Sequence, residues 1–379
     1  MNESIQQKKL GFIQGLRGIA AFLVVLHHAR IYIDSSGGAS ELASSFFYAG
    51  YFGVDLFFVI SGFIMVITTW KSDGSSAYVK DYFIKRISRI VPVYSLLTFL
   101  CIFAVFNGID FFSSPANVDI LLRSILYIPQ TLIDQRPYYG GPTLYVGWTL
   151  NYEMYFYIVF GVSLLFKSLR WVALTLIMIT TLILIPLVTH GSFSLNPFVM
   201  YDYKIMYMNL MTNPIIWFFA SGVVIGVMYK SNISIKNKTT CWVIALSCSV
   251  FLIWQYFSGY RVNHGVAFCG LSVIPFVAAL TLSSKTIDIS FGRVIEKLGD
   301  ISFSLYLIHI SVFAIIDKIS VHLGTPTHGL WYFLVMSISA VIAAMISHSL
   351  LEVKLSCYMR SLLERVLFRS SSVNDASKA

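Results

Sequence analysis

Charge is scarce in this chain of 379 residues. Asp, Glu, Lys and Arg make up 12% of it, about half the share of an ordinary soluble domain. That argues against a water-soluble globular enzyme. Cysteine is scarce as well. The five present (Cys101, Cys241, Cys248, Cys269 and Cys357) are scattered and odd in number, with no CxxC or zinc-type spacing. A disulfide scaffold and a cysteine metal site are therefore excluded, and the thiols read as small apolar fillers. No long repeat or low-complexity tract occurs. No small-residue cleavage site follows the polar start MNESIQQKKL, so the first apolar run is not read as a secretory leader.

What is abundant is apolar. Hydrophobic residues make up 57% of the chain and the mean hydropathy is +0.74, gathered into runs of about twenty, the length that crosses a bilayer as a helix. The expected fold is an all-α polytopic membrane protein with about ten spans: 11–33, 47–70, 87–107, 144–166, 171–189, 212–230, 240–258, 264–283, 300–320 and 329–352. The one long loop, 108–143, contains VDILLRSILYI (118–128), amphipathic and too short to span, which predicts an interfacial or re-entrant helix. After the last span, CYMRSLLERVLF (357–368) reads as a basic amphipathic helix on the membrane surface. The expected division is thus a membrane domain over 1–353 and a cytoplasmic helix and tail over 354–379.

The net charge of +9 does not point to nucleic acid, because the basic residues sit in short loops between apolar runs. With the N-terminus inside, twenty Lys and Arg fall in inner segments. Six (Arg30, Arg123, Arg136, Lys204, Arg261 and Lys318) fall outside, and Arg17 lies within the first span. This bias places both termini in the cytoplasm. Gly222-x-x-x-Gly226 permits close helix approach and reads as plain packing.

An ionised side chain at the bilayer centre costs about 2.5–3.5 kcal/mol on insertion scales. Arg17 with His27 and His28, Asp55, and Glu153 are the candidates that carry this cost. Each alone could be a buried pair that fixes packing; several together point to a site. Eleven residues at about 100° each bring Arg17 and His28 to within roughly 20° of one another, about 16 Å apart along one helix face, while His27 points about 80° away. A histidine beside a carboxylate from Asp55 or Glu153 is a candidate general base. In FIKRISRIVP, Arg86 and Arg89 share a helix face beside Lys85. They read either as positive-inside charge or as a phosphate fork.

Taken together, these residues resemble the membrane-bound acyltransferase-3 family. GLRGIAAFLVVLHH (15–28) contains its Arg-x10-His pattern as Arg17 and His28. GYFGVDLFFVISGF (50–63), RISR (86–89), WTLNYEMYFY (148–157) and LGDISFSLYLIH (298–309) follow in the family's order. The resemblance implies transfer of an acyl group, usually acetyl, from cytoplasmic acyl-CoA to a hydroxyl of an extracytoplasmic or lipid-linked glycan. It implies that His28 and Arg17 are essential and that Arg86 and Arg89 act on the donor side. The fourth-span wording is closest to exopolysaccharide-modifying members, which implies a bacterial surface polysaccharide and the inner membrane. Relatives often read WSL where this chain has WTL, so Thr149, Asn151 and Tyr152 are candidate acceptor determinants. The short tail also implies no appended soluble domain.

The expected enzyme uses acetyl-CoA as substrate and needs neither metal nor bound cofactor. Its catalytic candidates are His28, Asp55 and Glu153, its donor-binding candidates Arg17, Arg86 and Arg89, and its acceptor-side candidates Trp148, Asn151 and His309. Ser61 reads mainly as a helix serine bonded to a backbone carbonyl, and secondarily as an acyl-accepting nucleophile. Trp148 and its tyrosine neighbours read slightly better as an interfacial aromatic belt than as a sugar platform. Two rivals stay open: a proton-coupled transporter with His28, Asp55 and Glu153 as its relay, and a non-catalytic scaffold.

Overall fold

The computed structural model describes residues 11–33, 44–106, 108–130, 137–139, 141–199 and 201–376, with side chains to residue 366. Residues 1–10, Arg136 and 377–379, which entered the charge count, lie outside these. Among the described residues there are helices and turns and no strand. Among these residues seven helices are long and apolar enough to cross a membrane, and a shorter helix stands at each of the other three expected spans. The chain is a polytopic, all-helical membrane protein.

The elements are α1 (Gly11–Ala29), α2 (Phe52–Thr69), α3 (Ser76–Ala104), α4 (Pro115–Ile125), α5 (Trp148–Leu164), α6 (Lys167–His190), α7 (Met206–Met211), α8 (Trp217–Lys230), α9 (Lys238–Ser258), α10 (Gly270–Ser283), α11 (Arg293–Asp300), α12 (Ser302–Leu323), α13 (Leu330–Ser347) and α14 (Ser356–Ala376). A π-helical stretch, His348–Leu355, joins α13 to α14 without a break. The helical trace therefore runs straight through residue 353, where the sequence suggested a boundary.

Lipid supplies little hydrophobic drive between helices, so small residues and interlocking aromatics must bring them together. At Gly62 and Gly222 an added Cβ would collide with the backbone carbonyls of Phe219 and Val59, so α2 and α8 meet backbone to backbone. Gly222-x-x-x-Gly226 is packing, as read. Phe219 of α8 lies against Phe58 of α2 and Phe156 of α5, with ring centroids 4.6 and 4.5 Å apart. On α9 the large side chains Trp242, Leu246, Val250 and Trp254 stay exposed, an apolar outer face that suits lipid.

Two element edges differ from expectation, and both matter for the site. Helix α3 starts at Ser76 rather than near 87, because the Ser75 hydroxyl caps it by accepting from the Tyr78 amide at 3.1 Å. Arg86 and Arg89 are therefore well inside a helix, not at its mouth. Helix α10 starts at Gly270 rather than 264. Gly265 adopts φ +123°, which side-chain-bearing residues rarely enter, and Gln255 Nε2 ties the turn by donating to the Phe268 carbonyl at 3.0 Å. His264 is thereby left on a loop that folds inward.

Candidate active site

Helix α1 carries the site's long axis. It is continuous from Gly11 to Ala29, so the separation of about 16 Å between Arg17 and His28 holds. Gly53 allows α2 to approach the Ala20 carbonyl, and α12 packs on α1 as well. Each end of this axis meets a different set of neighbours.

At the Arg17 end is a cavity of about 100 Å³, room for several waters. Arg17, Arg86, Arg89, Ser61, Glu153 and Tyr306 are among its walls. Arg17 donates to Gln14 Oε1 at 2.8 Å. Arg86 donates to Thr68 Oγ1 at 3.2 Å and its guanidinium lies over the rings of Tyr157 and Tyr82, at 5.3 and 5.9 Å, within cation–π range. Neither has a carboxylate within ion-pairing distance among the described residues. Arg89 differs. It pairs with Glu352 at 3.3 Å and lies over Phe303. Glu352 Oε2 in turn accepts from Ser304 Oγ and is bonded by His348 Nδ1, both at 2.9 Å. The π-helical stretch carries both His348 and Glu352.

Glu153 faces the same cavity. It accepts from the Tyr157 hydroxyl, and from Ser61 Oγ at 3.4 Å. Ser61 therefore points at a carboxylate rather than at a backbone carbonyl, a correction to the main reading of that residue. Glu153 makes no hydrogen bond to His28, so it does not orient that imidazole.

At the other end His28 meets His309 of α12. The ring centroids are 5.0 Å apart and His309 Nε2 lies 3.2 Å from His28 Nδ1. His27 turns away, as its azimuth predicts. It contacts the Tyr48 carbonyl at 2.6 Å and packs edge-on against the Tyr51 ring. Between the two ends, Tyr306 reaches Thr149 Oγ1 at 3.0 Å and donates to the Val146 carbonyl at 3.2 Å.

Asp55 is fully buried, and its partners are His264 Nδ1 at 2.8 Å and Cys269 Sγ at 3.0 Å. The expectation that Asp55 holds His28 is thus corrected: the inward loop before α10 supplies a different histidine. Tyr51 lies beside both His27 and His264, with its ring 5.3 Å from the first and 4.9 Å from the second. Trp148 is 4% exposed, enclosed by Phe58, Tyr138, Tyr152 and His264. An indole so enclosed cannot reach the headgroups, so the belt reading of Trp148 is also corrected. Asn151 and His309 are buried too.

Comparison with known proteins agrees with this arrangement of motifs. The acyltransferase-3 family, described as an acyltransferase domain, matches residues 10–348. The chain belongs to the acyltransferase-3 family. It is 29% identical over 341 residues to the exopolysaccharide production protein ExoZ of Rhizobium meliloti, covering 87% of this chain and 93% of that one. It is 26% identical over 182 residues to the peptidoglycan O-acetyltransferase OatA of Listeria monocytogenes, covering 44% of this chain and 26% of the other. No solved structure matches the chain.

Within this family member, the structure brings Arg17, Arg86, Arg89, Ser61 and Glu153 onto one cavity. It keeps Asp55 and His28 in separate hydrogen-bonded groups. Sequence reasoning passed over Glu352, His264 and Cys269. Glu352 had a signal, since it is a lone carboxylate at the end of an apolar span. His264 and Cys269 had none, because only the folded-back loop puts them beside Asp55.

Proposed function

We propose that this protein is a membrane O-acyltransferase that moves an acyl group, foremost acetyl, from cytoplasmic acyl-CoA to a hydroxyl of a bacterial cell-surface or lipid-linked polysaccharide. One observation carries the reading. Arg17, Arg86 and Arg89 converge on a cavity at one end of the helix face whose other end presents His28. Among the described residues two of these guanidinium groups have no carboxylate partner, and half-buried unpaired cations are costly. An anion supplied from outside the chain offsets that cost. Coenzyme A has its phosphates at one end and its thioester at the other, with a thin arm between them. The separation of about 16 Å along α1 matches such a donor, held by its head and presented by its tail. Acyl-CoA enters as a substrate, not as a resident cofactor. The names of ExoZ and OatA support a glycan acceptor.

In the reaction, His28 Nε2 takes the proton of the acceptor hydroxyl as its oxygen attacks the thioester carbonyl carbon. The C–S bond then breaks, and the coenzyme thiolate takes a proton back from the imidazolium. General base action of this kind contributes about 10²–10⁴ in rate. The charge asymmetry of the loops supports ten crossings with both termini in the cytoplasm, in the bacterial inner membrane, with the membrane domain over 1–353 and the tail beyond it. Reporter fusions after Lys71 and at the C-terminus test this, and an external signal from either overturns it. The proton-relay alternative has no specific observation in its favour, because His28, Asp55 and Glu153 hydrogen-bond to different partners.

Titrating CoA into the purified protein by calorimetry tests the donor site. Arg86→Ala and Arg89→Ala are each expected to weaken binding by about ten- to a hundredfold, the worth of a charged hydrogen bond. Lys at either position restores it only in part. Unchanged affinity in these two and in Arg17→Ala, with transfer lost, overturns the assignment. Mass spectrometry of surface polysaccharide from a deletion strain, expected to lack one ester, identifies the acyl group and acceptor together.

A further inference from the structure

His28 is held by no carboxylate among the described residues; its partner is a second histidine. The hydrogen positions of both rings follow from what they touch. His28 Nδ1 lies 3.0 Å from the Val24 carbonyl, and His309 Nδ1 lies 3.1 Å from the Leu305 carbonyl. A carbonyl only accepts, so each Nδ1 carries a hydrogen. His309 Nε2 is then a bare lone pair, and it stands 3.2 Å from the His28 Nδ1–H. That hydrogen is shared between the Val24 carbonyl and His309. His28 Nε2 is left unprotonated, and no hydrogen bond among the described residues occupies it.

The second ring is itself fixed. His309 is fully buried, packed against Phe313 and Tyr306 at centroid distances of 5.7 and 6.2 Å. Tyr306 is pinned by Thr149 and the Val146 carbonyl. His309 is not among the walls of the arginine cavity. The other titratable and charged groups beside His28 are His27, whose ring centroid is 5.1 Å away, and Arg30, two residues on. His27 is turned to Tyr48 and Tyr51, and the Arg30 guanidinium lies over the Tyr48 ring. Neither hydrogen-bonds to the His28 ring.

We propose that His309 is the positioning residue of the transfer: beside the Val24 carbonyl, its Nε2 lone pair takes up the His28 Nδ1–H, aims Nε2 at the acceptor, and steadies the imidazolium when His28 takes the acceptor proton. This rests on His28 being the base. A neutral imidazole does here what a carboxylate does in many hydrolases, and it does so without placing another charge in the bilayer, where each is expensive. When Nε2 gains its proton, the Nδ1–H becomes a stronger donor, and the bond to His309 tightens in the charged state more than in the neutral one. That difference is what lowers the barrier.

The test uses full-length protein in membranes, acetyl-CoA, and the unacylated surface polysaccharide of the deletion strain. His309→Ala is expected to lower kcat by ten- to a hundredfold, leave KM for acetyl-CoA within twofold, and move the acid limb of the pH–rate profile to lower pH. The limb moves that way because the cationic form of His28 has lost its acceptor. His309→Gln, whose amide oxygen can accept the same hydrogen, is expected to recover more activity than His309→Leu. Solid-state NMR on protein with ¹⁵N-labelled histidine reads the ring directly. The His28 signals, assigned by their loss in His28→Ala, should report a protonated Nδ1 and a bare Nε2, with the Nδ1 signal shifted toward that of a weaker hydrogen bond in His309→Leu. An unmoved acid limb with reduced kcat, Gln no better than Leu, or an unmoved Nδ1 signal in His309→Leu each overturns the positioning role while the base assignment survives. Transfer retained in His28→Ala overturns both. If His309→Ala is poorly recovered, the Gln and Leu variants and the NMR signature still decide.

Discussion

The two ends of α1 solve opposite problems. At the Arg17 end, guanidinium groups face a cavity, and among the described residues two of them have only a neutral side-chain acceptor. At the His28 end, two imidazoles touch ring to ring, and every assigned hydrogen has an acceptor within the chain. The first end keeps its cations facing the cavity; the second has all but one lone pair engaged. A membrane enzyme that takes a charged donor from one side and a neutral hydroxyl from the other needs this division. On the proposed function, charge is gathered where the donor's phosphates would bind and kept away from where a proton would leave.

The sharpest way to break this contrast is His28→Ala. Transfer should fall about a thousandfold, while calorimetry should show CoA affinity unchanged, because His28 is not part of the arginine cavity. His27→Ala should cost less than about tenfold, since that ring is turned to Tyr48 and Tyr51. Equal losses from the two changes, at equal protein levels, would remove the distinction between them. Next in size is Asp55→Ala. Removing the acceptor leaves the buried His264 and Cys269 groups without their hydrogen-bond partner, at a cost of about 1–3 kcal/mol, so the protein should melt at a clearly lower temperature in detergent, and Asp55→Asn should melt between it and the native protein. A wild-type melt with transfer abolished would move Asp55 from the frame into the chemistry. The smallest effect is expected at Glu352. If Arg89 binds the donor as proposed, Glu352→Gln removes a carboxylate that would compete with phosphate for it, worth about 1 kcal/mol, so CoA should bind a few-fold tighter at low salt. Weaker binding would mean that Glu352 aims Arg89 at the donor instead of detaining it.

The sequence made the helices legible, because apolar runs of bilayer length can hardly become anything else. It also made the one-helix relations legible. Arg17 with His28, and Arg86 with Arg89, follow from 3.6-residue geometry inside one continuous element. What it concealed are pairings between distant helices: Arg89 with Glu352, Asp55 with His264, and His28 with His309. Hydrophobic periodicity says which face of a helix turns inward, not which other helix that face meets. Asp55 is the instructive case. Its depth matched that of His28, yet depth fixes only one coordinate, and Gly265 turned a closer histidine toward it. At Arg86 and Arg89 the misplaced start of α3 came from the Ser75 cap, a local signal hidden by the low hydropathy of the first helical turns.

The π-helical stretch at His348–Leu355 fixes a phase as well as a set of partners. Each extra residue that a wide turn absorbs sets everything after it back by about 100° relative to an unbroken α-helix. In the present phase Glu352 meets Arg89, Ser356 Oγ reaches the Arg89 carbonyl at 3.5 Å, and α14 lies along α3. A one-residue deletion in a surface loop is usually absorbed. Here it would act like a slipped tooth between two gears, carrying the whole terminal helix off its track while every side chain in it stayed the same.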